Sequence, residues 1–117
     1  MHVRPTTDVK RWDAWLIAHS HYAPFAQSAA WGDILIHEGR KQVERLEVWD
    51  GEECVAQAQC VFTDLPFGMR YAFSAKGPII SKQTADNSKQ VYEALCEYFK
   101  KNGLFKICCN CNSNGVR

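Results

Sequence analysis

The sequence predicts one α/β (α+β) domain in which an antiparallel three-strand meander is covered by helices, in the order (β)-α-α-β-β-β-α-β. Three observations carry this. The hydrophobic period changes from helical to alternating near Lys41 and back to helical after Ser81. Asp50-Gly51 and Pro66-Phe67-Gly68 punctuate the alternating part with turn chemistry. A chain of 117 residues with 46% apolar composition suffices for a single core and not for two domains.

A short strand is expected at His2 to Arg4. Thr7-Asp8 then precedes Val9, Trp12, Trp15 and Leu16, a helical spacing that begins with an N-cap and an acidic first turn and predicts a helix over about 8–19. His19 and His21 bracket Ser20, but residues two apart do not share a helix face and no acidic group is near, so a solvated helix end is expected there rather than a metal site. Pro24 restarts the chain. Ser28 stands in N-cap position ahead of Trp31, Ile34 and Leu35, and Gly39 is placed to end this second helix in a left-handed turn. Its apolar stripe is expected in the core, with Trp31 as a packing anchor rather than a substrate platform.

From Lys41 the period is two. Leu46 and Val48 alternate with Arg45 and Glu47, Trp49 ends the run, and Asp50-Gly51 predicts a type I′ hairpin turn with positive φ at both centres. The next strand, about 53–63, sets Cys54, Ala56, Ala58, Cys60 and Phe62 on one face, small enough for a helix to approach, and Val55, Gln57, Gln59 and Val61 on the other. Two glutamines there either find hydrogen-bond partners or a ligand on a buried face, or lie on a face open to water or to a partner domain. A Pro-led turn at Leu65-Pro66-Phe67-Gly68 leads to a third antiparallel strand from Met69 to Ala75, and Lys76-Gly77-Pro78-Ile79-Ile80 closes the meander. Thr84, Asp86 or Ser88 caps the longest helix, in which Val91, Tyr92, Leu95 and Phe99 recur at helical spacing while Glu93, Glu97, Lys100 and Lys101 face away; Gly103 fits its C′ position. Leu104-Phe105-Lys106-Ile107 starts one more strand. Leu46, Val48, Ala56, Ala58, Phe62, Leu95 and Phe99 are expected to share one core.

The periodicity stops at Cys108, which divides the chain into a domain over 1–107 and an irregular Cys/Asn-rich tail over 108–117. Cys108, Cys109 and Cys111 crowd three thiols into four positions with no second pair at C-x2-C spacing, so no metal is expected. Cys54, Cys60 and Cys96 sit singly in apolar patterns and read as free thiols. A net charge of +1 gives no electrostatic case for wrapping a nucleic acid. With no secretory signal at the start and no stretch approaching the roughly 20 apolar residues of a bilayer span, the chain is expected to be cytoplasmic.

No Q/R-x-x-G-x-G/A pyrophosphate loop, G-x-S-x-G elbow, Walker A loop, Rossmann fingerprint or H-E-x-x-H occurs, and no cofactor is expected. The element order is that of the first half of a GNAT acyltransferase fold. Phe25-Ala26-Gln27-Ser28, Trp31-Gly32, Gly39-Arg40-Lys41, the Asp50-Gly51 hairpin with Ala56-Gln57-Ala58, Leu65-Pro66-Phe67-Gly68, and Tyr71 through Gly77-Pro78-Ile79 resemble, in type and order, the N-terminal subdomain of the FemABX peptidoglycan bridge-forming aminoacyltransferases over about 25–103.

The resemblance implies transfer of an amino acid from aminoacyl-tRNA to the stem peptide of a peptidoglycan precursor, lipid II or its nucleotide form, with these two molecules as partners. The chemistry is amine attack on an activated ester, so such a protein holds reactants in line, accepts a proton and stabilises an oxyanion without a nucleophile of its own. In that family the Tyr-to-Gly-Pro segment borders the substrate groove, which makes Tyr71, Lys76, Gly77 and Pro78 the matching positions; Lys76 would meet a phosphate as a point charge, and Arg40 and Lys41 are further substrate-binding candidates. The catalytic base is unassigned, because Ser81-Lys82 stands where members often carry an acidic residue. The likeness covers one of the family's two GNAT-like halves. The chain is therefore expected to be a truncated piece, inactive in transfer by itself, that self-associates through an incomplete sheet edge or is only marginally stable. The alternatives are a non-catalytic binding module of GNAT-like fold and a small acetyl-CoA-dependent N-acetyltransferase, the latter weakened by the missing pyrophosphate loop.

Overall fold

Two hydrophobic periods, one of two residues and one near 3.6, sort the chain into strands and helices. The computed structural model describes residues 1–20, 25–39, 42–64, 66, 70–75, 78–81, 84–101 and 106–110. In chain order these form β1 (His2–Thr6), α1 (Val9–His19), a 3-10 turn (Phe25–Gln27), α2 (Ala29–His37), β2 (Gln42–Asp50), β3 (Glu53–Asp64), β4 (Arg70–Ala75), β5 (Ile79–Ile80), α3 (Ala85–Lys101) and β6 (Lys106–Asn110). One sheet runs β1-β2-β3-β4-β6, with β5 beside β3. Its pairings are antiparallel except β4 with β6, which are parallel and joined through α3. The expected meander is thus β2-β3-β4, extended by a strand at each edge.

The helix starts follow capping chemistry. Asp8 Oδ1 accepts from Arg11 N at 3.1 Å and Ser28 Oγ from Trp31 N at 3.2 Å. Of the three candidates at α3, Thr84 is the cap, its Oγ1 accepting from Asn87 N at 3.2 Å, while Asp86 lies in the first turn. Asp8 supplies the cap of α1 rather than an acidic first turn, which holds no carboxylate. Gly39 ends the α2 segment at φ +95°, where any other side chain is strained. His19 stacks on Trp15 of its own helix, ring centroids 4.4 Å apart, at an exposed end; His21 and Gly103 lie outside the described residues.

One face of the sheet carries the apolar core. Leu46, Val48, Ala56, Ala58, Cys60, Ala72 and Ile80 pack under Val91, Leu95 and Phe99 of α3, and Phe62 meets Phe99 edge-on at 5.9 Å. The small residues on β3 let α3 approach, as the alternation implied.

Four local expectations shift. The hairpin loop is Gly51-Glu52, one residue later than expected, because Asp50 pairs with Glu53; Gly51 takes φ +66°. Val48 pairs with Ala56 but Trp49 with Cys54, so Val55 is an extra residue in a β-bulge. The bulge exchanges two faces: Val55 packs on the core and Cys54 shares the face of Trp49 and Glu47. On α2 the buried residues are Ala29 and Gly32, whereas Ile34 and Ile36 are 44% and 48% exposed and Trp31 leans on the exposed Phe25. The strand expected from Leu104 is described from Lys106 and continues through Asn110, three residues into the segment read as irregular.

Candidate functional site

The outer strand beside β3 is broken. β4 pairs with β3 from Asp64/Arg70 to Val61/Phe73, stays with β6 as far as Ala75, and the chain returns to β3 at Gln57/Ile79. From Phe73 to Ile79 the outer strand advances six residues while β3 advances four. The outer strand therefore holds two extra residues between these pairings, leaving an opening in the described pairing of β3 at Gln59.

Buried side chains close this opening. The Gln59 N–H donates to Gln27 Oε1 at 2.8 Å, Gln27 Nε2 donates to Ser74 Oγ at 3.1 Å, and Ser74 Oγ donates to Gln59 O at 3.0 Å. The Trp12 indole N–H holds Gln27 O at 2.7 Å. The Gln59 side chain is saturated as well: its Nε2 donates to Ala26 O at 3.1 Å and Ser28 O at 2.8 Å, and its Oε1 accepts from Arg45 Nε at 3.0 Å. Arg45 in turn holds Ala29 O at 2.9 Å and Asp33 Oδ1 at 3.2 Å. Of the two alternatives the sequence left for Gln57 and Gln59, a buried face is the one found, since α1, the 3-10 turn and α2 cover it. Gln59 has its partners. Gln57 is 1% exposed, and its amide nitrogen and oxygen meet none among the described residues.

This network explains the face that α2 presents. A Cβ on Gly32 would collide with Gln59 Oε1 and come within 2.9 Å of Arg45 Nη2. Small residues must therefore face the sheet, and the larger apolar ones turn outward.

Beside Gln57 on β2 lies Glu47, 3% exposed. Arg11 donates to it from Nη2 at 3.0 Å and from Nε at 3.3 Å, and the Trp49 indole N–H at 3.2 Å. A buried carboxylate is tolerated because these donors replace its water. Burial, with the Glu47 charge as a second cause, pushes the nearby Cys54 thiol up from 9.0 to about 11. Thiolate at pH 8 should be about 100-fold scarcer than for an ordinary cysteine. Iodoacetamide labelling of Cys54, followed by mass spectrometry against pH, is expected to rise through about 11; a midpoint near that of free cysteine would refute it. The folded protein holds this proton more tightly than the unfolded chain, so the associated stability is complete below about pH 9 and is lost as pH rises through about 11.

Of the substrate-binding candidates, Tyr71 lies in β4, opposite Thr63 and beside Lys106, and Pro78 is buried immediately before β5. These two flank the bulge. Arg40, Lys41, Lys76 and Gly77 lie outside the described residues, as does Cys111. Gln27 and Ser74, which the candidates did not include, are the groups that shape the opening. Among the described residues no three His, Cys, Asp or Glu side chains gather as metal ligands, and no helix is long and apolar enough to cross a membrane. A depression of about 410 Å³ along α3, lined by Lys89, Tyr92, Glu93, Cys96, Glu97 and Lys100, balances two cations against two carboxylates and offers no single-sign field.

A mixed sheet with one broken outer strand, helices on both faces and a parallel final pairing defines the class: a GNAT-like fold. Solved structures agree. A GNAT family acetyltransferase from Staphylococcus aureus superposes with a TM-score of 0.64 at 11% identity, covering 100% of this chain and 93% of that one. A ribosomal-protein-alanine N-acetyltransferase from Brucella melitensis gives 0.64 at 11% identity over 98% and 86%. FemX gives 0.68 at 16% identity over 90% of this chain. The FemAB family model matches residues 7–113, and the chain belongs to the FemAB family. It spans 26% of the length of FemX. No curated protein matches it.

Proposed function

We propose that this chain supplies the first GNAT-like half of a peptidoglycan interpeptide-bridge aminoacyltransferase, which moves an amino acid from aminoacyl-tRNA to the stem peptide of lipid II or its nucleotide precursor. The observation that carries this reading is the FemAB match over residues 7–113, which includes both flanks of the bulged strand. In the reaction an acceptor amine attacks the ester carbonyl, the carbon–oxygen bond to the tRNA breaks, and the departing ribose hydroxyl takes a proton. The protein's task is alignment and oxyanion stabilisation. Tyr71, Lys76, Gly77 and Pro78 would border the precursor along the broken strand, with Arg40 and Lys41 offering further positive charge.

Titration of the 15N-labelled chain with a soluble lipid II analogue tests this. Backbone shifts are expected at Tyr71, Ser74, Lys76, Gly77 and Ile79, weakened in Lys76→Ala. Absence of shifts at saturating analogue would overturn the proposal. Shifts at the same residues with acetyl-CoA alone would favour an acetyltransferase, the activity named for the Staphylococcus aureus and Brucella melitensis structures.

A further inference from the structure

We infer that Gln27 is a positioning residue that fixes the register of the broken outer strand between Phe73 and Ile79. Backbone groups along β3 point alternately to its two neighbours. On the β4/β5 side, Val61 pairs with Phe73, Gln57 pairs with Ile79, and Val55 O accepts from Ser81 N at 2.9 Å. Gln59 belongs to the same series, but no described residue of β4 or β5 pairs with it. Its N–H goes to Gln27 Oε1 and its C=O receives Ser74 Oγ. Two side chains thus stand in for a missing stretch of ladder.

The alternative is a slip. If the register set by Val61/Phe73 continued, Gln59 would face Ala75 and Gln57 would face Gly77. A slip of two residues keeps every side chain on its own face, so the hydrophobic pattern does not oppose it. What opposes it is the stand-in at Gln59, which removes the cost of leaving those buried backbone groups unpaired. Gln27 is in turn held from behind by Trp12. The bulge is therefore specified from outside the strand that carries it.

The test is NMR of the full chain with Gln27→Met, which keeps the side-chain length and removes both the amide oxygen and the amide nitrogen. Wild type should show a cross-strand Hα–Hα contact between Ala56 and Ile80 and a protected Gln59 amide. In the variant that contact should move to Ala56–Pro78, and Gln59 exchange should be about tenfold faster, as for one lost hydrogen bond. Retention of both wild-type signals would overturn the inference. Should Gln27→Met fail to fold, Ser74→Ala decides: the inference requires faster Gln59 exchange, and unchanged exchange sinks it. A third readout rests on the proposed function: Gln27→Met should weaken binding of the lipid II analogue although no flanking residue is altered. If wild type itself does not bind the analogue, that function fails while the register result stands alone.

Discussion

Truncating Phe99 to alanine should cost about 3–5 kcal/mol, the range for a large aromatic removed from a closed core. Phe99 is 1% exposed, belongs to the core that α3 covers, and meets both Phe62 and Tyr98 edge-on. The sheet side of the same core includes Ala56, Ala58, Cys60 and Ala72, short side chains that cannot swing into the void. Domains of this size are stable by only about 5–15 kcal/mol. The urea midpoint should therefore fall steeply with little change in slope. A loss below about 1 kcal/mol would mean that α3 is not the cover of this core.

On the opposite face, Trp12→Ala should be as damaging, about 3–5 kcal/mol. Trp12 is fully buried, and its indole N–H holds the carbonyl of Gln27. The two roles separate in Trp12→Phe, which keeps most of the apolar volume and strands that carbonyl; about 1–3 kcal/mol is expected from the unmet acceptor. Chemical denaturation of both variants measures the split. If Trp12→Phe were neutral, the hydrogen bond to Gln27 would contribute nothing, and the support behind the register network would be packing alone.

The layers of this fold are written in the sequence because each burial face repeats with a definite period. Leu46, Val48, Ala56, Ala58, Leu95 and Phe99 were assignable to one core from spacing alone, as were the caps at Asp8 and Ser28. Periodicity fails where a residue is inserted: nothing in Glu53-Cys54-Val55-Ala56 announces that Val55 is extra, so Cys54 was placed on the wrong face. It also fails on α2, where the apolar side chains point outward because Arg45 and Gln59 occupy the space beneath Ala29 and Gly32. The polar network was half legible. Gln59 stands out as a glutamine in a strand, but its partner Gln27 lies 32 residues earlier and Ser74 lies 15 residues later, and no local pattern links them. The resemblance pointed to the Tyr71–Pro78 segment through its Gly and Pro, and the register shift between Phe73 and Ile79 falls in the same stretch.

The parallel pairing of β4 with β6 has a kinetic consequence. Asp50 and Glu53 meet across a two-residue loop, whereas Tyr71 and Lys106 are brought together across 34 residues that include all of α3. Closing the longer loop costs about 2 kcal/mol more in chain entropy, and β1 reaches β2 across a longer span still, His2 to Trp49. The β2-β3 hairpin can form in microseconds from local contacts, but both margins of the sheet depend on contacts of high sequence separation. Assembly is thus expected to proceed from the centre of the sheet outward, with both margins joining last.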